Sequence, residues 1–127
     1  MPIAEVFKEF LVDCAHSLPY VPDGHKCRNV HGHTYKIRIA LQGELDPVLG
    51  WVIDFAEIKS AFEPLKLMLD HQYLNDIPGL DNPTAENLAI WIWNKLAPRL
   101  GQLYEVGVFE TPSSGTYYRG GASRTLD

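Results

Sequence analysis

Apolar and polar residues alternate along two stretches in the first third of the chain, a pattern typical of β-strands with one buried face. Residues 5–16 form the first stretch, although Phe7 and Leu11 on its other face blur the alternation. In the second stretch one parity is apolar and the other more polar, with Tyr35, Ile37, Ile39 and Leu41 set against Lys36, Arg38, Ala40 and Gln42. The prolines and the Asp-Gly pair of residues 17–24 predict a loop, so we expect the two strands to pair as an antiparallel hairpin.

The middle of the chain changes to the spacing of an amphipathic helix. Asp54 and Glu57 form a D-x-x-E pattern that predicts a capped start, and apolar residues then recur every three or four positions to about Asp70–His71. Pro64 lies inside this segment. Because proline lacks an amide donor and clashes with the preceding turn, we expect it to kink or break the helix.

The rest of the chain predicts a second helix and two more strands. Residues 72–83 are rich in turn-forming pairs and are predicted to be a loop, after which Thr84 caps a helix that runs to about Ala97. Strands are expected at about 104–111 and 115–119, followed by a frayed C-terminal tail. The resulting ββααββ order predicts an α+β fold in which a four-stranded antiparallel sheet carries both helices on one face.

Length and composition limit the class of protein. With 127 residues the chain can bury a core without a disulfide, and we expect residues 1–127 to form one domain. A net charge of −5 and the lack of a basic run argue against a nucleic-acid partner. The N-terminus has no signal-peptide pattern and no apolar run reaches membrane-spanning length, so the expected location is the cytoplasm. Four strands would leave two free sheet edges, which favours pairing between subunits and hence an oligomer.

Three of the five histidines are predicted to meet at the loop end of the hairpin. His31 and His33 lie two apart, which on a strand points both rings to the face of Tyr35. His16 ends the preceding strand. Taken alone, His16 is explained equally well as a core histidine, and the His31–His33 pair is better explained as a common arrangement on a strand. Three converging imidazoles, however, match the three-ligand set of a catalytic zinc site with one open position, so we predict a metal site on His16, His31 and His33.

Cys27 lies four residues before His31 in a polar loop. One alternative is that Cys27 is a small buried hydrophobic residue, as we expect for Cys14. A disulfide between the two cysteines is not expected in a reducing compartment. Because three histidines already complete the expected ligand set, Cys27 is not needed as a metal ligand. A thiol near a divalent cation and near Lys26 and Arg28 is favoured as the thiolate, which makes it a usable base or nucleophile.

Two further groups are candidates for proton transfer or binding. Asp70–His71 is a titratable pair that can cooperate if the helix ends there; the alternative is a histidine that is favourable to the helix dipole. Glu110 shares the parity of Val106 and Val108, so its carboxylate falls on an apolar face and needs a partner. That partner is either a ligand edge with two parallel N–H donors, such as the 2-amino-pyrimidinone edge of a pterin or guanine, or a local arginine. His25 is either a solvated loop residue or part of a small positive patch for an anionic group such as phosphate.

These motifs resemble the 6-pyruvoyltetrahydropterin synthase family. The residues that carry the resemblance are Ala15-His16-x-Leu18-Pro19, Cys27-x-x-x-His31-Gly32-His33, Asp70-His71 and Asn82-Pro83-Thr84-x-Glu86. Three longer phrases are similar to its bacterial branch, the 6-carboxytetrahydropterin synthases of queuosine biosynthesis: Val21-Pro22-x-Gly24-His25-Lys26-Cys27, Gly50-Trp51-Val52-Ile53-Asp54-Phe55 and Tyr73-Leu74-Asn75-Asp76-Ile77-Pro78-Gly79-Leu80. The resemblance runs from about Phe7 to Gly120.

The resemblance implies the tunnelling fold, in which two antiparallel hairpins and two helices assemble into trimers and then a hexamer. It implies zinc on the three predicted histidine ligands, Cys27 as the general base and Glu110 as the anchor of the pterin ring. Asp70 and His71 would form a proton relay contributed by a neighbouring subunit. The implied substrate is 7,8-dihydroneopterin triphosphate, and the implied products are 6-carboxy-5,6,7,8-tetrahydropterin, triphosphate and acetaldehyde.

Two other functions stay open at this point. One is the sister reaction of the same family, synthesis of 6-pyruvoyltetrahydropterin at the same site without loss of acetaldehyde. The other is a non-catalytic zinc-binding or interaction protein, which predicts no turnover. The sequence separates the two enzyme functions only by family similarity.

Overall fold

A five-stranded sheet is the framework of the protein. The structure, a computed structural model, describes residues 1–121. The strands are β1 (Ile3–His16), β2 (His31–Glu44), β3 (Gln72–Tyr73), β4 (Leu103–Thr111) and β5 (Ser114–Tyr118). Their order across the sheet is β3-β1-β2-β4-β5. Neighbouring strands are antiparallel except for β3, which lies parallel to β1.

Two helices cover one face of this sheet. Helix α1 spans Phe55–Leu69 and helix α2 spans Ala85–Leu96. Short 3-10 helices, Lys26–Arg28 and Leu74–Asp76, lie in the loops before β2 and after β3. The predicted α+β class is confirmed. Within residues 1–121, neither helix is long and apolar enough to cross a membrane.

The register of the β1–β2 hairpin explains the blurred alternation of the first strand. Val12 pairs with Tyr35, and both side chains are buried in the core beneath the helices. Phe7 and Leu11 lie on the opposite, open face of the sheet and remain 46% and 61% exposed. The first strand therefore has apolar residues on both faces, because one face enters the core while the other mixes Phe7 and Leu11 with the charged residues Glu5 and Glu9.

The prediction of four antiparallel strands is wrong by one short strand. Gln72–Tyr73, assigned to a loop from the sequence, forms β3 and pairs in parallel with Cys14–Ala15. Two residues are too few for an alternating pattern to indicate a strand. Helix α1 ends at its C-cap Asp70, beside the edge of β1. There the His71 amide donates to the Asp13 carbonyl, and β3 follows directly in the chain.

Helix α1 runs through Pro64 without the break that was one of the two outcomes expected there. A proline leaves the carbonyl four residues earlier, that of Ser60, without its helical donor. The Arg99 guanidinium supplies donors instead: its Nη1 donates to the Ser60 carbonyl over 3.2 Å and its Nη2 to the Ser60 hydroxyl over 2.9 Å. A contact from the segment after α2 thus replaces the bond that the proline removes.

The helix starts agree with the predictions and the strand ends differ from them by no more than two residues. Asp54 caps α1 by accepting the Ala56 amide, and Thr84 caps α2 by accepting the Asn87 amide. The tail predicted to fray after Gly120 lies almost wholly outside the described residues.

Candidate metal centre

The hairpin register brings three histidines to one end of the core face. His16 pairs directly with His31, and His33 lies two residues further along β2. The ring centroids are 4.5 Å apart for His16 and His31, 5.1 Å for His16 and His33, and 5.0 Å for His31 and His33. One ring nitrogen of each lies within 4.8 Å of the others, an arrangement that can hold a metal ion. Residues paired across an antiparallel ladder share a face, so this group follows from strand pairing.

Backbone carbonyls decide which nitrogen is free on two of these rings. His16 Nδ1 lies 2.7 Å from the Pro83 carbonyl oxygen, and His31 Nδ1 lies 2.8 Å from the Asn29 carbonyl oxygen. A carbonyl only accepts, so each Nδ1 carries a proton, and in the neutral ring Nε2 then keeps its lone pair. The two Nε2 atoms are 2.9 Å apart. Two lone pairs that face each other with no proton between them repel, and a cation between them removes that repulsion.

The third ring has a buried nitrogen without a partner. His33 Nε2 makes no hydrogen bond to any residue in the described part of the chain. Glu110 Oε2 is 3.8 Å away, beyond hydrogen-bond distance. A buried polar atom left unpaired is unfavourable unless something binds it. Neutral imidazoles are good ligands for divalent transition metals, and these three residues fit an ion such as zinc.

His16 is the most enclosed of the three, and its surroundings keep it neutral. It is 1% exposed, and burial lowers its pKa although the Pro83 carbonyl partly opposes the shift. The Tyr35 hydroxyl lies 3.1 Å from His16 Nδ1 and 3.4 Å from its Nε2. Burial raises the pKa of Tyr35, so its phenol stays protonated. A neutral imidazole is the state that a metal requires, because the ligand nitrogen must present a lone pair.

Asp70 and His71 form a second titratable group at the edge of the sheet. Asp70 Oδ1 accepts the Asp13 amide over 2.9 Å, and Asp70 Oδ2 lies 3.1 Å from His71 Nδ1. The Asp13 amide is the main reason that the pKa of Asp70 lies below its usual value. His71 has a left-handed φ of 59°, a conformation that is unfavourable for a residue with a side chain and that clusters at functional sites. His71 also lines an open cavity of about 570 Å³ together with His33.

Cys27 lies in the 3-10 helix Lys26–Arg28, outside the sheet, and its side chain is partly buried. Its thiol is not part of the three-histidine group. It is also not among the side chains that line the cavity shared by His33 and His71. Within one chain the structure therefore brings the three histidines together and pairs Asp70 with His71, but it places Cys27 in neither group.

Glu110 has no arginine partner within residues 1–121. The local arginines bind a different carboxylate, Glu105, which is 3% exposed. Arg38 Nη1 lies 3.0 Å from Glu105 Oε1, and Arg119 Nη2 lies 2.7 Å from Glu105 Oε2. Of the two partners considered for Glu110, the arginine is thus excluded in this part of the chain, while the His33 ring lies 3.8 Å from Glu110 Oε2.

A second carboxylate lies near Glu110, and the sequence pattern does not reveal its position. Glu86 in the first turn of α2 lines a cavity of about 230 Å³ with Glu110, Ser114 and Thr116. Glu86 belongs to the Asn82-Pro83-Thr84-x-Glu86 motif, but an acidic residue at a helix start is ordinarily explained by the helix dipole, so the motif does not predict its position beside Glu110. Only the packing of α2 beside the β4–β5 hairpin brings the two carboxylates to one cavity.

Cys14 is buried in the core, as expected, directly across the ladder from His33. Burial, with smaller contributions from the charges of Asp70 and Asp13, raises the pKa of Cys14 to about 12. The thiol therefore stays protonated near neutral pH and is not a candidate base.

The sheet with helices on one face and a three-histidine group at the hairpin end matches a known class, the tunnelling-fold pterin proteins. The family model described as 6-pyruvoyl tetrahydropterin synthase matches residues 5–121. The chain belongs to the 6-pyruvoyl tetrahydropterin synthase family.

Individual relatives carry two different names. The 6-carboxy-5,6,7,8-tetrahydropterin synthase of Synechocystis sp. is 40% identical over 119 residues, which cover 89% of this chain and 91% of that protein. The 6-pyruvoyl tetrahydrobiopterin synthase of Homo sapiens is 39% identical over 103 residues, 75% of this chain and 71% of that protein. The solved structure of Caenorhabditis elegans 6-pyruvoyl tetrahydropterin synthase has a TM-score of 0.88 at 31% identity and covers 95% of this chain and 98% of its own. The family resemblance predicted from the motifs is confirmed.

Proposed function

We propose that this protein is a zinc-dependent carbon–carbon lyase of queuosine biosynthesis. With one molecule of water, it converts 7,8-dihydroneopterin triphosphate into 6-carboxy-5,6,7,8-tetrahydropterin, triphosphate and acetaldehyde. The observation that carries this function is the histidine group, in which three ring nitrogens lie within 4.8 Å of one another. The 40% identity to the Synechocystis protein named for that product supports this reaction within the family.

His16, His31 and His33 hold the zinc ion in this proposal. When bound, zinc supplies a Lewis acid for the hydroxyl oxygens of the substrate side chain. Three neutral imidazoles leave the ion its full charge, whereas thiolate ligands would reduce it. The Pro83 and Asn29 carbonyls support this role, because they hold the His16 and His31 rings by Nδ1 and leave Nε2 to the ion.

Cys27 takes a carbon-bound proton from the substrate side chain, and Asp70 with His71 moves protons on the other side. The Asp13 amide keeps Asp70 a carboxylate, and Asp70 in turn orients His71 through Nδ1 and leaves its Nε2 for proton transfer. Because Cys27 does not line the cavity that contains His71, we assign the relay that works with each Cys27 to a neighbouring subunit.

Glu110 anchors the pterin ring. A carboxylate presents two oxygens that match two parallel N–H donors on a 2-amino-pyrimidinone edge. Two observations support this role: Arg38 and Arg119 both bind Glu105 instead, and Glu110 borders the cavity that Glu86 also lines. A carboxylate beside a cavity, without an arginine partner in the described residues, is available to a ligand.

A product assay on the purified, metal-analysed protein tests this function. Incubation with 7,8-dihydroneopterin triphosphate is expected to yield the 6-carboxy product and acetaldehyde by mass spectrometry, with about one zinc per chain. A Cys27→Ala variant is expected to keep its zinc and to lose turnover at least about 100-fold, while Cys14→Ala serves as the matched thiol control. Loss of zinc from Cys27→Ala would make Cys27 a ligand, and full turnover would reject it as the base.

The same assay separates a second candidate function, synthesis of 6-pyruvoyltetrahydropterin. The 39% identity to the human 6-pyruvoyl tetrahydrobiopterin synthase favours it. It predicts a 6-pyruvoyl product and no acetaldehyde. A zinc-loaded protein that turns over neither way would reject both enzyme functions and leave a non-catalytic metal-binding protein.

We also propose that the chain assembles into a homohexamer, a dimer of trimers. Strand β3 covers only Cys14–Ala15, so most of the outer edge of β1 has no neighbouring strand within residues 1–121, and β5 is the opposite edge. The open face of the sheet carries the exposed side chains of Phe7, Leu11 and Tyr117. Pairing with further copies covers both the edges and these exposed apolar side chains. Native mass spectrometry is expected to show the hexamer, and a monomer would reject the proposal.

A further inference from the structure

The 3-10 helix that carries Cys27 is not held in place by packing. None of its residues, Lys26–Arg28, is buried. A short 3-10 helix has strained hydrogen-bond geometry and little stability of its own. Polar contacts with the surrounding loop therefore decide where the backbone of Cys27 lies, and with it the direction of the thiol.

His25 closes the start of this turn. Its Nδ1 accepts the Cys27 amide over 3.0 Å, and its own amide donates to the Pro22 carbonyl over 3.0 Å. Accepting at Nδ1 places the ring proton on Nε2. The imidazole thus does for this turn what an N-cap side chain does for an α-helix.

Arg28 closes the other end. Its Nη1 donates to the Val21 carbonyl over 3.0 Å and lies 3.1 Å from Asp23 Oδ1. The Cys27 carbonyl accepts the Leu18 amide over 2.8 Å. The Arg28 guanidinium is therefore engaged with the loop itself, which is not the arrangement expected of a side chain held open for a phosphate.

We propose that His25 is a positioning residue for Cys27, whose backbone it fixes by accepting the Cys27 amide at Nδ1. This role rests on the proposed function of Cys27 as the base. A base acts only within reach of the proton that it takes, and a misplacement of about 1 Å can lower the rate about 100-fold. Because the turn is exposed, removing the cap loosens it without disturbing the core.

A pair of substitutions tests the cap. His25→Leu removes the acceptor, whereas His25→Asn supplies a side-chain carbonyl in its place. We expect His25→Leu to lower kcat about five- to tenfold with KM nearly unchanged, and His25→Asn to stay within about twofold of the parent. Hydrogen exchange of the amides from residue 25 to 29 is expected to accelerate in His25→Leu only.

Three results would overturn this role: equal impairment of His25→Leu and His25→Asn, a raised KM with unchanged kcat, or unchanged amide exchange in His25→Leu. A raised KM would make His25 part of a substrate-binding patch instead. The exchange measurement does not depend on turnover. If Cys27→Ala is as active as the parent, or the parent is inactive, the proposed function fails, while the exchange data still decide whether His25 holds the turn.

Discussion

The histidine group and the Cys27 turn are close in sequence but are held by different interactions. His31 and His33 belong to β2, whose pairing with β1 fixes their backbone, and His16 is 1% exposed. Cys27 lies in a turn without a buried residue, fixed by hydrogen bonds such as that to His25. The three-histidine group is thus part of the fold and moves only if the sheet opens, whereas the position of Cys27 depends on a few hydrogen bonds that can open locally.

One residue joins the two regions. The Asn29 carbonyl accepts from His31 Nδ1 over 2.8 Å, and the Asn29 amide donates to the Lys26 carbonyl over 3.2 Å at the end of the Cys27 turn. This carbonyl links the ligand ring to the turn, so that ordering the ring on metal binding also orders the turn, and the reverse. We therefore expect metal binding to slow amide exchange in the turn.

The largest effect is expected from removing one of the three histidine ligands. His31→Ala removes one Nε2 from the group, so zinc affinity is expected to fall at least about 100-fold in a competition assay with a chromophoric chelator. His71→Ala is the matched control and should keep the affinity of the parent, because His71 lies outside the three-histidine group. Unchanged affinity in His31→Ala would show that these histidines are not the ligand set.

The next largest effect is expected from a substitution in the Asp70–His71 pair, which should lower turnover without releasing the metal. Asp70→Asn replaces the carboxylate that orients His71, so kcat should fall about 100-fold while zinc affinity stays unchanged. Asp13→Asn removes a charge from the same edge but keeps the backbone amide that Asp70 accepts, and it should have a far smaller effect. Equal losses in the two variants would mean that local charge matters and orientation does not.

A smaller effect is expected from the partner of the buried metal ligand. Tyr35→Phe removes the hydroxyl beside His16, and zinc affinity should fall about tenfold because the ring is less well oriented. Tyr118→Phe is the control, since Tyr118 packs against Trp93 at 5.5 Å between ring centroids in another part of the core. Identical affinities for the two variants would remove Tyr35 from the metal site.

The smallest effect concerns the pH dependence of the metal-free fold. Burial holds the pKa of His16 below its ordinary value of 6.5, so below about that pH the unfolded chain binds a proton that the folded chain does not. The free energy of unfolding should therefore decrease as the pH is lowered from about 7.5 to about 5.5 in urea titrations. His16→Gln should show a smaller decrease than the parent, and an equal decrease would contradict this origin.

Local chemistry explains which fold elements were predicted correctly. Asp54 and Thr84 cap their helices because a capping side chain bonds to amides only two or three residues away. The pairing of β3 was missed, and the outcome at Pro64 was left open, for the opposite reason. Arg99 donates to the carbonyl that Pro64 leaves unpaired, and β3 pairs at the edge of β1 near Asp13, so both contacts come from segments remote in sequence.

The same distinction between local patterns and contacts remote in sequence applies to the metal site. The sequence by itself determined that His31 and His33 share a face and that His16 stands at the end of the strand before them, because side chains alternate with a period of two along a strand. Only the tertiary structure decided which ring nitrogens are free and which carboxylates share a cavity. Those properties depend on the Pro83 carbonyl and on Glu86 in α2, which reach the site through packing of distant segments that no local pattern records.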